Sequence, residues 1–306
     1  MAKVLVTGGA GFIGSHLVEA LIKKHDVTVL DNLSSGRQSN LSAVKDVIDF
    51  IKGDITDDAI LKKAMQGQEF VFHLAAIASV PYSVQNPLET HEVNATGTLK
   101  VLLAARDAKV KRVVYSSSAA VYGDEPTLPK TENSPLKPQT PYALTKLAGE
   151  QYMVIFNKLY GLETVALRYF NVYGPRQDPL SPYSGVITKF VTALKNNRQP
   201  VIFGSGMQTR DFIFVSDVVK ANLKAMSTAN ASGRVFNIAT GVQISIKEIL
   251  VHLNEILGTK ISPKYAPKQP GDILHSVADI SDARKVLHFA PETQFHEGLE
   301  QTIKSG

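Results

Sequence analysis

The sequence predicts a doubly wound α/β fold, a parallel (Rossmann) sheet with helices on both faces, joined to a second, smaller C-terminal α/β unit. Three observations predict it. Short β-branched runs alternate with helix-length segments through the first half, a glycine-rich turn directly follows the first run, and the texture becomes proline-rich and less regular near residue 175. Residues 3–7, 27–31, 47–52, 70–74, 112–117 and 164–169 read as strands, and 14–24, 57–65, 87–108 and 140–159 as helices with apolar residues at helical spacing. After Tyr173, Gly174-Pro175, Asp178-Pro179 and Ser181-Pro182 crowd together. The expected division is therefore 1–174 for a cofactor domain and 175–306 for a substrate domain, with the run at 234–240 returning to the main sheet as a strand. The 306 residues suffice for one full domain, a companion and a cleft between them.

Composition narrows the chemistry. Apolar residues at 44% and charged residues at 20% exclude disordered and fibrous classes. With no cysteine, disulfides, zinc-thiolate sites and cysteine nucleophiles are excluded together, and no metal is expected. The net charge of +5 is spread along the chain, which points to anionic small molecules and not to nucleic acid. The opening MAKVLVTGG and the lack of a long apolar run lead to the expectation of a cytoplasmic protein without membrane contact.

Thr7-Gly8-Gly9-Ala10-Gly11-Phe12-Ile13-Gly14 sets Gly8, Gly11 and Gly14 at GxxGxxG spacing between a strand and a helix. Glycines there permit a tight turn and close backbone approach, and the helix N-terminus offers unpaired N–H groups to a pyrophosphate. Seventeen residues past Gly14, the second strand ends in Asp31-Asn32. The Asp31 carboxylate can accept both ribose hydroxyls and repels a 2′-phosphate, so NAD is expected rather than NADP; Arg37 nearby is the one opposing feature. Gly53-Asp54-Ile55 and Leu74-Ala75-Ala76 fall at carboxyl ends of later strands, where adenine and ribose contacts belong. The plainer alternative is a glycine turn that only packs a helix on a strand.

Tyr142 and Lys146 stand four residues apart on one face of a predicted helix. A phenol titrates near pH 10, so it serves as a base near neutrality only if its phenolate is stabilised, which an adjacent ammonium and an oxidised nicotinamide would do. Alone, the pair could as well be solvent-facing. The fifth strand changes the weighting, because it ends in Tyr115-Ser116-Ser117-Ser118 at the sheet edge where such folds bind substrates, and a serine hydroxyl there can share a substrate proton with Tyr142. Ser116 and Ser117 can instead simply cap their own backbone.

TGGAGFIGSHL, DNLSSG, GDI, HLAA, SSSAAVYGD, PYALTK, RYFNVYGPRQDP, FGSGMQTRDFIFVSDV and QPGDILHSVADIS together resemble the extended short-chain dehydrogenase/reductase family, specifically its nucleotide-sugar 4-epimerases, over nearly the whole chain. The resemblance implies Ser118 as the catalytic hydroxyl, Tyr142 as the base and Lys146 as its partner and nicotinamide-ribose ligand. It adds Phe12, Ile13, Leu33, Ser35, Gly36, Asn94, Ser116, Tyr169 and Phe170 to the cofactor positions already named. For a UDP-sugar it implies Ser79, Asn171, Val186, Lys189, Phe203, Gln208, Arg210, Asp272 and Ser276, with Arg210 on the diphosphate. A second basic residue common in relatives is replaced by Gln269, with Lys268 beside it. The implied reaction passes through a 4-keto sugar that turns over before hydride returns, and a homodimer is the family expectation. Ser276 resembles a position where a tyrosine restricts relatives to plain hexoses; a small serine leaves room for an N-acetyl group, so UDP-GlcNAc/UDP-GalNAc is expected beside UDP-Glc/UDP-Gal. A 4,6-dehydratase would need an acid where Ala119-Ala120 stand. A UDP-glucuronate 4-epimerase and a catalytically silent NAD-binding sensor are the alternatives.

Overall fold

The computed structural model describes residues 1–178, 185–268 and 273–304. The first half alternates strands and helices as β1 (Lys3–Thr7), α1 (Phe12–Leu21), β2 (Asp26–Asp31), β3 (Ile48–Lys52), α2 (Asp58–Met65), β4 (Phe70–His73), α3 (Val80–Gln85), α4 (Pro87–His91), α5 (Gly97–Asp107), β5 (Arg112–Ser118), α6 (Pro141–Tyr160) and β6 (Glu163–Tyr169). Beyond them lie β7 (Asn171–Tyr173), α7 (Val186–Lys195), β8 (Val201–Phe203), β9 (Thr209–Arg210), β10 (Phe212–Phe214), α8 (Val215–Ser227), β11 (Arg234–Ile238), β12 (Ile244–Ser245), α9 (Ile246–Leu257), β13 (Lys264–Ala266), α10 (Ser281–Leu287) and α11 (Phe295–Lys304).

A seven-stranded parallel sheet runs β11-β6-β5-β4-β1-β2-β3. Its central strands are buried on both faces, which is why they read as continuous apolar runs instead of alternating ones. The order reverses between β1 and β4, where such sheets open a ligand crevice at the carboxyl ends. One apolar core lies on each face of this sheet, and a third, around Phe190, Ile202, Phe212, Ile249 and Leu253, builds the smaller lobe. The chain crosses between lobes more than once. β11 pairs with β6, and α8 packs in the same core as Val18 and Leu167, so residues 215–238 sit on the main sheet and a cut at 174 does not leave two continuous segments.

Two predicted boundaries shift. The first helix begins at Phe12, not 14, because Gly11 serves as its N-cap and the glycine turn itself leads into the first helical turn. The single helix expected at 87–108 is divided by a π-helical stretch, Glu92–Thr96, that contains Asn94. By contrast α6 has the signals its sequence carries: Thr140 Oγ1 accepts the Ala143 N–H, Pro141 follows, and Gly161 ends the helix in the left-handed conformation. Among the described residues, no helix is long and apolar enough to cross a membrane.

Candidate active site

The glycine turn is built to leave its concave side bare. Gly8 has φ +71°, and a Cβ there would lie 2.7 Å from the Ala75 nitrogen, so the turn and the segment after β4 lie backbone to backbone. At Gly11 a Cβ would meet only the Gly8 carbonyl at 3.1 Å, while at Gly14 it would drive into the Gly8–Gly9 backbone. No side chain caps the N-terminus of α1, which leaves its first N–H groups to a ligand. Asp31, at the end of β2, accepts the Ala10 N–H at 2.9 Å and the Leu33 N–H at 2.8 Å, tying the glycine turn to the following loop. Burial raises its pKa against these two bonds. Gly36 allows that loop to lie across the carboxylate, because a Cβ there would be 3.0 Å from both oxygens. Arg37 is paired with Asp178 at 2.9 Å, which blunts the one feature that favoured a 2′-phosphate. These residues fit NAD: a bare amide-lined turn for a pyrophosphate and an acid for the ribose.

The rest of the cofactor set is arranged around that turn. Asn32 donates to Asp54 at 2.6 Å; burial raises the Asp54 pKa, but bonds from Thr56 and Asn32 outweigh it and hold the carboxyl below its ordinary range. Ile55 is buried, and Ser35 is exposed on the loop. Asn94 grips the segment after Leu74-Ala75-Ala76, its amide accepting from Ile77 N at 2.8 Å, donating to Ile77 O at 3.0 Å and reaching Thr145 Oγ1 at 3.2 Å. Phe12 and Ile13 pack into the core of the smaller lobe. Phe170 is buried beside Tyr122, and the Tyr169 hydroxyl turns into the core to donate to Asn222 at 3.0 Å.

The three catalytic candidates converge. Ser118 is the last residue of β5, and Tyr142 and Lys146 face it from α6. The Ser118 hydroxyl lies beside the Tyr142 phenol and accepts the Ala120 N–H at 3.2 Å. Lys146 is buried with its Nζ 6.0 Å from the Tyr142 ring centre, and it donates to the Ser116 carbonyl at 2.7 Å. Burial pushes the Tyr142 pKa up and the neighbouring Ser118 hydroxyl opposes that. The same burial pushes Lys146 down to about 7, opposed by Glu150. Each charge is thus costly alone, and the phenolate is favoured when cations face it. The three neighbouring serines divide as the sequence left open: Ser116 offers its carbonyl to Lys146, and Ser117 turns away to Glu150.

Behind this corner lies a buried polar network that sequence reasoning missed. Glu150, one turn beyond Lys146, takes two bonds from Arg168 at 2.9 and 2.7 Å, and Arg168 continues to the Tyr122 hydroxyl, which donates to Asn237 on β11. His73 bridges Thr7 at 2.8 Å and Thr98 at 2.9 Å; burial, with the nearby Lys146 charge, pushes its pKa down to about 3, so it is a neutral strut between β1, β4 and α5. The available signal was weak: polar residues within otherwise apolar strands, at positions 73 and 168.

In the smaller lobe a cavity of about 330 Å³ is lined by Asn171, Val186, Phe203, Gln208 and Arg210 among others. Arg210 donates to the Thr209 carbonyl at 2.8 Å. Of the two acids near it in sequence, Asp211 accepts from Thr240, Gly241 and Ala278, and Asp217 from Lys220 and Thr293. Ser276 lies beside this strand, its N–H on the Thr209 carbonyl at 3.1 Å. Ser79 caps α3 by accepting the Tyr82 N–H at 3.1 Å. Lys189 lies on the exposed side of α7, away from the cavity lining. Gln269 and Asp272 fall outside the described residues.

The family model described as the NAD dependent epimerase/dehydratase family matches residues 4–239, and the chain belongs to that family. It is 42% identical to a UDP-glucose 4-epimerase of Mycolicibacterium smegmatis, covering 99% of this chain and 97% of the relative. Among solved structures it is similar to a UDP-N-acetylglucosamine 4-epimerase from Methanobrevibacter ruminantium in complex with UDP-N-acetylmuramic acid, with 44% identity, 99% and 97% coverage and a TM-score of 0.96. A Thermotoga maritima UDP-glucose 4-epimerase with UDP-glucose matches at 38% identity, 99% and 98% coverage and a TM-score of 0.94. Within its family the chain is a nucleotide-sugar 4-epimerase, an isomerase whose cofactor is NAD.

Proposed function

We propose that this protein inverts C4 of UDP-GlcNAc to give UDP-GalNAc, and of UDP-Glc to give UDP-Gal. The observation that carries the chemistry is the convergence of Ser118, Tyr142 and Lys146 at the carboxyl end of β5, in a chain that also has a bare dinucleotide turn and a cavity carrying Arg210. NAD, held by the glycine turn and Asp31, would supply a reversible hydride acceptor for C4. Tyr142 accepts the 4-OH proton and later gives it back, with the neighbouring Ser118 hydroxyl hydrogen-bonding the same sugar oxygen. Lys146, as an ammonium, favours the phenolate. Arg210 holds the diphosphate through the forked donors of its guanidinium. With the nucleotide end held, the keto sugar can present its other face.

Ser276 supports the acetylated substrate. It is small, half-buried and adjacent to the strand that carries Arg210, where a bulky side chain would fill space beside the sugar. Supplied separately with UDP-GlcNAc, UDP-Glc and UDP-GlcA without added reductant, the protein should convert the first two, read by chromatography or NMR. Conversion of UDP-GlcA alone would contradict the substrate assignment.

An apolar surface supports a homodimer. Leu144, Ile155 and Leu159 lie exposed on one face of α6, with Val84 and Leu88 exposed on α3 and α4, which pack against α6. Light scattering should give a dimer mass that Leu159→Lys lowers.

A further inference from the structure

We propose that His252, Glu255 and His296 bind a divalent transition ion of the zinc class, which ties α11 to α9 in the smaller lobe. His252 and Glu255 stand three residues apart on α9 and therefore share a face. His296 is the second residue of α11, which packs across that face.

The ligand atoms already converge. The two histidine Nδ1 atoms lie 3.2 Å apart, Glu255 Oε2 is 3.9 Å from the Nδ1 of His252, and one ligand atom from each residue falls within 4.8 Å of the others. With metal–nitrogen bonds of about 2.05 Å, two nitrogens at that separation subtend roughly 100° at the ion, between octahedral and tetrahedral values. Two further features favour ligation. On the far side of the His296 ring, Glu300 Oε1 stands 3.6 Å from Nε2, near enough to move in and accept from that nitrogen when an ion takes Nδ1. Phe295 sets its ring edge-on to His252 at 5.6 Å between centres and limits that ring's rotation.

The donor set is nitrogen and oxygen, as it must be in a chain without cysteine, and imidazole with carboxylate suits Zn²⁺, Ni²⁺ and Co²⁺. All three residues are partly exposed, so an ion can enter from solvent and complete its shell with water. The site is remote from Ser118, Tyr142 and Lys146, but α9 starts at Ile246, which lines the nucleotide cavity. A bound ion would fasten the C-terminal helix to the helix framing that cavity, giving stability without entering the chemistry.

The test uses the tag-free, full-length protein after EDTA dialysis. Zn²⁺ alone, followed by calorimetry, should bind at one equivalent with micromolar affinity and raise the melting temperature. Co²⁺ should give saturable visible d–d absorption. His252→Gln and His296→Gln should each abolish both signals while retaining wild-type circular dichroism and NAD content, and Glu300→Gln should weaken binding about tenfold. The absence of saturable Zn²⁺ binding, or binding that survives unchanged in both histidine variants, would overturn the site and leave the two rings as a hydrogen-bonded pair. Neither result bears on the epimerase assignment, which rests on other residues.

Discussion

The catalytic corner and the nucleotide cavity differ in how firmly they are held. At the corner, Lys146, Glu150, Ser117 and Arg168 are all buried and bonded to one another or to strand backbone, and their positions are set by three adjacent elements, β5, α6 and β6. At the cavity, Phe203 is 40% exposed, and the lining is gathered from β7, α7, β8, β9, β10 and α9. The first arrangement fixes a reaction; the second leaves room for the identity of the sugar to be adjusted by single side chains. On the proposed assignment, chemistry and specificity are therefore separable in this molecule.

That separation can be broken experimentally. Tyr142→Phe should lower kcat by about 10²- to 10⁴-fold while leaving bound NAD and substrate KM nearly intact, because only the proton-transferring oxygen is removed; a comparable loss of NAD would show that the corner is not an independent unit. Arg210→Ala removes charge-assisted bonds of about 1.5–3 kcal/mol each and should raise KM for every UDP-sugar about 10- to 100-fold with little change in kcat. Ser276→Tyr, an overpacking change of about 1–3 kcal/mol, should lower kcat/KM for UDP-GlcNAc about 10- to 100-fold and spare UDP-Glc. Equal loss on both sugars would place Ser276 outside specificity.

The smallest expected effect is on stability. Burial holds Lys146 at about 7, below the lysine range, so above that pH the folded chain sheds a proton that the unfolded chain retains until about pH 10.4. More protons in the unfolded state mean that this contribution to stability rises with pH across that window. Denaturant titrations from pH 7 to 10 should show a rise that Lys146→Met flattens; an unchanged slope would contradict the burial argument.

Much of this was legible in the sequence. The strand rhythm, the glycine turn, Asp31 and the Tyr142–Lys146 pair are local patterns, and local patterns survive in a one-dimensional reading, whereas Ser118 was singled out from its two neighbours by the family resemblance. What escaped depends on contacts distant in sequence. Arg168 meets Glu150 across a sheet–helix interface, His73 meets Thr7 and Thr98 from neighbouring elements, and Asp211 gathers Thr240, Gly241 and Ala278. The placement of α8 on the main sheet was hidden for the same reason, since the apolar residues of a helix indicate that it packs but not against which sheet. The π-helical stretch at Asn94 follows no periodic signal, because one extra residue in a turn does not alter an apolar stripe enough to mark it.

The central claim is that Tyr142 and its neighbours serve a hydride that leaves C4 and returns to the same carbon. UDP-GlcNAc deuterated at C4 tests it most directly, with the product analysed by NMR and mass spectrometry. UDP-GalNAc that retains the deuterium at C4 is the predicted result; UDP-GalNAc with hydrogen from solvent at C4 would contradict it.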